Sequence, residues 1–362
     1  MPVRSMLVKF LFACLSMITW YNKCSNMREL PSISILVMSY NQGAFIADCV
    51  DSVLNQQYDG NLEFIFCDDN SSDGTFSIIK EKLCKYTGER RVEAYSSPVN
   101  QKVAGNMNNG IKLARYDWIM RMDGDDIMHP DRVKLTAEAI LKHPDAVAFC
   151  GRYKYFDTEP ESVTNPEPED LIYIKHSYQD FTEKSSPENL EWWGGIMCMH
   201  RSIFDTFGPL PLECDVLDDT MFATRALMLG KFVSITNAVF IYYRRHENNV
   251  SSAVTSTTSI REYMKADADM RRYYKKGIHC HKTILQEIEG FIQTHPQKLI
   301  LLQYFTYRLN ELKRQGEFWE KSWRERIADA GINGPIWRKI PWAIRVLSPF
   351  TYALASKIKK KS

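Results

Sequence analysis

The strongest constraint on this chain's fold is the repeated alternation of two hydrophobic periods. After Pro31, "SISILVMS" is an unbroken β-branched and apolar run. A short run of that kind, closed by turn residues, is a strand buried on both faces. "AFIADCVDSVLNQQY" follows, with apolar side chains at Phe45, Ile46, Cys49, Val50, Val53 and Leu54, which is helical spacing. The pair then recurs: "LEFIFCDD" with "FSIIKEKLCKY", "VEAYSS" with "AGNMNNGIKLAR", and finally "YDWIMRM". Strands that alternate with helices are joined by crossovers. The sequence therefore predicts an α/β fold with a doubly wound, mostly parallel sheet and flanking helices.

The ends of these strands are polar. "SYNQG", "DDNSSDG" and "DGDD" follow the first, second and fourth apolar runs. In a doubly wound sheet, ligands bind beyond the carboxyl ends of the strands, so the three clusters are expected to meet at one edge. "DGDD" places Asp123, Asp125 and Asp126 directly after a buried run, where uncompensated charge is costly. Two readings account for it: a solvated turn with helix-capping acids, or a site for a cation. Asp123 and Asp125 are alternate carboxylates, and Gly124 between them lets backbone approach a ligand closely. Mg²⁺ and Mn²⁺ are hard ions held by one or two carboxylates with phosphates and water. Asp73 reads as a helix cap.

Further along, "DRVKLTAEAILKH" reads as a helix and "DAVAFCGRYKYF" as a strand. Asp157 to Asp170 is an acidic, proline-containing loop. "ENLEWWGGIMCMHRSIFDTFG" mixes a helix start, a glycine pair and a strand. "DVLDDTMFATRALMLG" is helical and "KFVSITNAVFIYYRRH" extended. From Ser259 to about Asp329 the pattern is strongly helical. This gives three regions: an apolar N-terminal segment at 1–30, an α/β domain at 31–255, and a helical extension at 256–362.

Four of these stretches share an order and spacing with a known family. "ISILVMSYNQGAFIADCVDSVLNQQYDGNLEFIFCDDNSSDGT", "MRMDGDDIMHPDR", "GPLPLECDVLDDTMFATRALMLG" and "YYRRHENNVS" resemble the family-2 glycosyltransferases, of the type that builds bacterial cell-surface polysaccharide and lipopolysaccharide. The resemblance covers roughly residues 32–252 and implies a GT-A-like fold. It implies an inverting enzyme that moves a sugar from a nucleotide-sugar donor, UDP-linked by expectation, to a glycan or lipid-linked acceptor by metal-assisted single displacement. Met38, Tyr40 and Asn41 would lie along the nucleoside and Asp69 on the base. Asp125 would bind a divalent metal, Mn²⁺ or Mg²⁺, with Asp123 near the ribose and metal, and His246 would approach the metal or diphosphate. Relatives commonly carry Glu-Asp where this chain has Asp218-Asp219. The match makes Asp219 the base and Asp218 its neighbour, with the roles less distinct because Asp replaces Glu. Arg244 and Arg245 either meet phosphates or are solvated. Asp126 is read as a helix cap or as a group supporting the metal ligands, and Asp131 as a start of the next helix.

Other features bear on partners. Trp192 and Trp193, ahead of Gly194-Gly195, are read as an aromatic wall for the acceptor rather than core filling. The chain has 46 basic and 44 acidic residues, so no whole-molecule basic field for nucleic acid exists. Nine cysteines without a C-x-x-C, several inside apolar runs, read as reduced buried thiols of a cytoplasmic protein. "PIWRKIPWAIRVLSPFTYALASKIKKKS" at the C-terminus alternates aromatics with basic residues and is broken by prolines. It is expected to lie on an anionic membrane surface, placing the protein on the inner face of the cell membrane. Met6–Tyr21 is short for a span, and is read as an anchor or as sequence ahead of a true start at Met27, in preference to a cleaved signal peptide, for which a clear small-residue cleavage site is lacking. Rival classes fit less well. A sugar nucleotidyltransferase wants a glycine-rich, arginine-containing loop after the first strand. An aspartyl phosphatase wants its acidic pair on the first strand. An inactive sugar-binding relative or membrane scaffold would not need the intact acids.

Overall fold

The computed structural model describes residues 29–178, 194–214, 218–246 and 260–321. The first half is the alternation expected: β1 (Ile33–Ser39), α1 (Ile46–Leu54), β2 (Leu62–Asp68), α2 (Thr75–Cys84), β3 (Val92–Ser96), α3 (Lys102–Leu113) and β4 (Trp118–Asp123). There follow β5 (Ile127–Met128), α4 (Arg132–Lys142), β6 (Ala146–Phe156), β7 (Tyr173–His176), β8 (Cys198–His200), α5 (Ser202–Phe207), α6 (Asp218–Leu229) and β9 (Lys231–Arg244). Two long helices, α7 (Ile260–Ile292) and α8 (Leu299–Glu320), close the described chain.

The strands form one nine-stranded sheet in the order β3-β2-β1-β4-β8-β6-β9-β5, with β7 added on β9. β1 lies between β2 and β4, parallel to both. Every residue of β1 and β2 is buried, which is why their sequences run apolar rather than alternate. β3, at the edge, is half-buried throughout. β8 is antiparallel to both β4 and β6, which leaves β6 running with β4. β9 runs parallel to β6. The carboxyl ends of β1, β4, β6 and β9 therefore share one edge, and the polar clusters read from sequence are brought to it.

Two local readings need correction. "GDDIMHPDR" is not turn alone: Ile127 and Met128 pair antiparallel with Tyr242 and Ile241 of β9, so the chain after β4 is tied across to the strand that ends near His246. The long helical region is two helices. "QTHPQK" breaks it, because Pro296 cannot continue the helix and disfavours helical backbone at His295. The N-terminal segment, the stretch with Trp192 and Trp193, and the basic tail lie outside the described residues. Among those described, no helix is long and apolar enough to cross a membrane. The seven described cysteines are free thiols, buried except for Cys84.

The helical pair shares the core of the sheet. Cys280, Ile284, Ile288, Leu301 and Phe305 belong to the same buried cluster as the strands. Its polar anchor is Arg225 of α6, which is 1% exposed. Arg225 donates to Glu287 of α7 through Nε at 3.0 Å and Nη2 at 2.7 Å, and through Nη1 to the carbonyl of Gly208 at 2.9 Å. Removing one partner of a buried pair leaves the other charge uncompensated. Arg225→Ala should therefore cost about 3–5 kcal/mol of stability, measured by urea unfolding, and Glu287→Gln, which keeps a hydrogen-bonding partner, should cost less.

Candidate active site

The loops after β1 and β2 are stitched to each other. The Asn41 amide donates to Ser71 Oγ at 2.8 Å, and Asn41 Oδ1 accepts from the Ser72 amide at 2.9 Å. Gly43 N–H donates to Asp73 Oδ2 at 2.8 Å, while Asp73 Oδ1 accepts from the Thr75 amide at the start of α2. Asp73 thus holds the first amide of α2 from one position ahead of the N-cap residue, Gly74. Asn41 and Asn70 both take positive φ, 51° and 63°, a conformation Asn tolerates through local hydrogen bonding. Asn41 is first a loop-builder here. Tyr40 projects outward, 47% exposed, with the Lys102 ammonium 5.9 Å from its ring centre. Asp69 is buried, and its Oδ1 accepts from the Gln101 amide at 2.7 Å. Burial pushes its pKa up, against the lowering effect of that amide.

The Asp123–Gly124–Asp125 turn is held against β1. Gly124 N–H donates to the Met38 carbonyl at 2.8 Å. A Cβ at Gly124 would stand 2.5 Å from Gln42 Oε1 and 2.8 Å from Ile46 Cδ1, so any larger residue would push these side chains aside. Asp125 Oδ2 meets His246 Nε2 at 3.0 Å, and the His246 ring packs on Phe45 at 4.4 Å between centroids. The two were read from stretches 121 positions apart. Burial raises the Asp125 pKa, and the nearby charge of Asp123 adds to the rise.

Asp126 begins no helix. It is 1% exposed, and its Oδ1 accepts the backbone N–H of Arg244 at 2.9 Å. Its pKa is raised well above the ordinary carboxylate value by burial and by Asp125. Arg244 is likewise committed. Its Nε donates to the Asp125 carbonyl at 3.0 Å and its Nη2 to Asp48 at 2.7 Å, between the rings of Phe45 and Phe156. Of the two arginines considered for phosphate contact, Arg244 braces the acidic turn, and Arg245 pairs with Asp157 at the surface.

Arg121, which the sequence reading passed over, joins the two acidic motifs. It sits on β4 between Met120 and Met122, both 0% exposed, and is itself 7% exposed. Its Nε and Nη2 both donate to Asp123 Oδ1 at 3.1 Å, and its Nη1 donates to Asp218 Oδ2. Burial opposes its charge, but the carboxylates of Asp123 and Asp218 outweigh that and raise its pKa. A charged residue inside an apolar strand was the available signal. The glycine pair is explained by the same cluster. A Cβ at Gly194 would lie 2.4 Å from Arg121 Nη1, and one at Gly195 would lie 2.6 Å from Asp123 Oδ2.

Asp218 and Asp219 are separated chemically by this arrangement. Asp218 is paired with Arg121. Asp219 Oδ1 accepts from the local amide of Thr220 at 2.7 Å and, at 3.5 Å, from the Thr220 hydroxyl. Burial, and then the neighbouring charge of Asp218, push its pKa up to about 7. That is a carboxyl able to exchange a proton near neutral pH.

The donor set fits a hard divalent cation. Among the described residues no three metal-ligating side chains converge closely enough to hold one unaided. Asp123 and Asp125 nevertheless flank Gly124 in one turn, with His246 on Asp125. Gln42 Oε1, buried without a hydrogen-bond partner, lies against Gly124 in that turn. Hard ions are commonly completed by phosphate oxygens and water.

The comparisons agree with this architecture. The family model "Glycosyl transferase family 2" matches residues 34–207. EpsH of Bacillus subtilis (strain 168) is 26% identical over 316 residues, covering 84% of this chain and 83% of that protein. The chain spans only 17–41% of four other curated relatives, which match at 30–33% identity. Two solved structures share the fold. The mannosyltransferase PcManGT from Pyrobaculum calidifontis, in complex with GDP-Man and Mn²⁺, has a TM-score of 0.53 at 15% identity, covering 97% of this chain and 96% of that one. S. aureus TarS 1-349, in complex with UDP-GlcNAc, has a TM-score of 0.50 at 15% identity, covering 81% and 92%. The mostly parallel α/β sheet with flanking helices is thus a GT-A-like fold.

Gly195→Ala would force Asp123 to turn away. We expect the far-ultraviolet circular dichroism to be unchanged and the affinity for Mn²⁺, measured by calorimetry, to fall about 10–100-fold. Gly290→Ala, at a helical position where nothing lies within 4 Å of the added Cβ, should leave that affinity unchanged.

Proposed function

The chain carries a family-2 glycosyltransferase domain over residues 34–207, and from that premise we propose that it is an inverting, metal-dependent glycosyltransferase using a UDP-linked sugar. The observation that carries the reading is the division of roles at Asp218-Asp219. One carboxylate is tied to Arg121, and the other is left with a pKa near neutrality. Inverting transfer by single displacement needs one base on the acceptor side, opposite the leaving nucleoside diphosphate. Asp219 takes the proton from the acceptor hydroxyl as its oxygen bonds to the anomeric carbon and the bond to the diphosphate breaks. Asp69 and Tyr40, beyond the ends of β2 and β1, hold the nucleoside, with Asn41 setting the loop between them. Asp125, Asp123 and His246 would hold a divalent cation, Mn²⁺ or Mg²⁺. When bound, it supplies positive charge for the departing diphosphate. PcManGT, which shares the fold, was solved with a nucleotide sugar and Mn²⁺.

The acceptor is a glycan or a lipid-linked saccharide, and the catalytic domain is residues 31–255. The basic, aromatic C-terminal tail supports peripheral contact with the inner face of the cell membrane. Trp192 and Trp193, outside the described residues, remain assigned to the acceptor side.

The test is a screen of nucleotide sugars with Mn²⁺, reading nucleoside diphosphate release. UDP-sugars should be turned over, and release from none of the sugars would overturn the reading. Asp219→Asn should lower turnover at saturating donor by about 10²–10⁴-fold. In the wild type, turnover should rise with pH through about 7 as Asp219 loses its proton. Stability moves the other way. Burial holds the folded pKa well above that of an ordinary carboxylate, so the folded state holds a proton the unfolded chain releases, and stability from this group falls as pH climbs from about 4 to about 7. Asp219→Asn should therefore melt higher than the wild type at pH 8, by about 2 °C or more, in differential scanning calorimetry.

A further inference from the structure

The Arg121 guanidinium touches two carboxylates that the proposed reaction uses for different purposes. Asp123 stands on the donor side. Asp218 immediately precedes the base on the acceptor side, 97 positions away in sequence. We propose that Arg121 is a positioning residue that couples these two half-sites, so that the orientation of Asp123 and the placement of the Asp218-Asp219 pair are set together. This rests on the glycosyltransferase reading above.

The bonding pattern favours a positioning role over simple charge burial. A guanidinium paired with one carboxylate frequently takes both of its oxygens in a parallel fork. Here Nε and Nη2 converge on a single oxygen of Asp123, Oδ1. The remaining nitrogen, Nη1, reaches Oδ2 of Asp218. One oxygen of each acid is used, and Oδ2 of Asp123 is left on the side where a Gly195 Cβ would intrude. The five N–H donors of arginine lie in one rigid plane, so the two acids cannot reorient independently while both bonds hold.

The arginine is itself anchored at its backbone. Its N–H donates to the Met197 carbonyl at 3.0 Å. Its carbonyl accepts from Nη2 of Arg132 at 2.7 Å, and Arg132 is 0% exposed. Gly194 lies so close to Nη1 that any side chain there would displace it. Backbone on one side and a glycine wall on the other leave the side chain little freedom. Rigid support of this kind is what holds a constellation in productive geometry.

A residue that is only structural would, when its contacts are cut, change stability without linking the two half-sites. The experiment therefore asks whether a change on the acceptor side is felt on the donor side. Mn²⁺ alone is titrated into the full chain by calorimetry, with thermal unfolding followed in parallel. Asp218→Ala removes an acid that is no proposed metal ligand. We expect Mn²⁺ affinity to fall about tenfold, the order seen when a ligand's supporting partner is lost. In an Arg121→Gln background the same substitution should change affinity less than twofold. Arg121→Lys keeps the charge but cannot grip two carboxylates. It should recover the melting temperature relative to Arg121→Gln without restoring the coupling, which keeps the test open if Arg121→Gln does not fold. In turnover assays Asp218→Ala should raise the donor KM as well as lower kcat. Mn²⁺ affinity and donor KM both within twofold of wild type in Asp218→Ala would overturn the inference and leave the glycosyltransferase reading standing. A wild-type chain that neither binds Mn²⁺ nor releases nucleoside diphosphate would overturn both.

Discussion

Negative charge buried at the carboxyl end of β4 is what the surrounding structure is built to compensate. Asp123, Asp125 and Asp126 follow an apolar strand within a few residues, and isolated carboxylates there would be protonated or would destabilise the fold. Each has its own answer. Asp123 is paired with Arg121, Asp125 with His246, and Asp126 with the backbone N–H of Arg244. None of these partners is a local turn residue except Arg121. The others come from the far end of β9, so closing that end of the sheet and satisfying the acids are one event. The small strand β5, paired to β9 through Ile127 and Met128, brings the two ends together.

The same economy explains the asymmetry between two adjacent aspartates. Asp218 and Asp219 are chemically identical and one residue apart, yet Arg121 reaches only the first. The second is left with desolvation and a like charge beside it, both of which favour its neutral form. A buried carboxyl poised near neutrality is a candidate proton acceptor. The destabilisation it carries is of the kind active sites tolerate when the rest of the core is well packed. The rest of the core is: β1, β2 and the helices around them bury a continuous set of aliphatic and aromatic side chains.

Much of the architecture was legible in the chain. The 3.6 and unbroken apolar periods of residues 32–122 predicted β1 to β4 and α1 to α3 in order, because strands buried on both faces cannot disguise their apolarity. The acidic turn, the Asp218-Asp219 pair and His246 each stand out in the sequence as polar groups beside apolar runs. The short antiparallel strands were harder. β5 is two residues long and β7 four, too short for a period to register, and they exist only because β9 offers them an edge. The partners of Arg121 and Arg244 were hidden for a related reason. A long basic side chain has no local signature of its destination, and both find their partners across the fold.

The amino-acid sequence by itself determined the layering: which segments are buried strands, which helices cover them, and that polar clusters follow three of the first four strands. Those are consequences of local periodicity and turn chemistry, which act within a few residues. Only the tertiary structure decided how the clusters divide the work. Insertion of antiparallel β8 between β4 and β6 carries Gly194 and Gly195 against Arg121 and Asp123. The docking of α6 sets Asp218 on Arg121, while the more distant charge of Arg121 only partly offsets the burial of Asp219. Charge compensation in a buried site depends on distances of a few ångströms between residues some hundred positions apart, and no local pattern encodes such a distance.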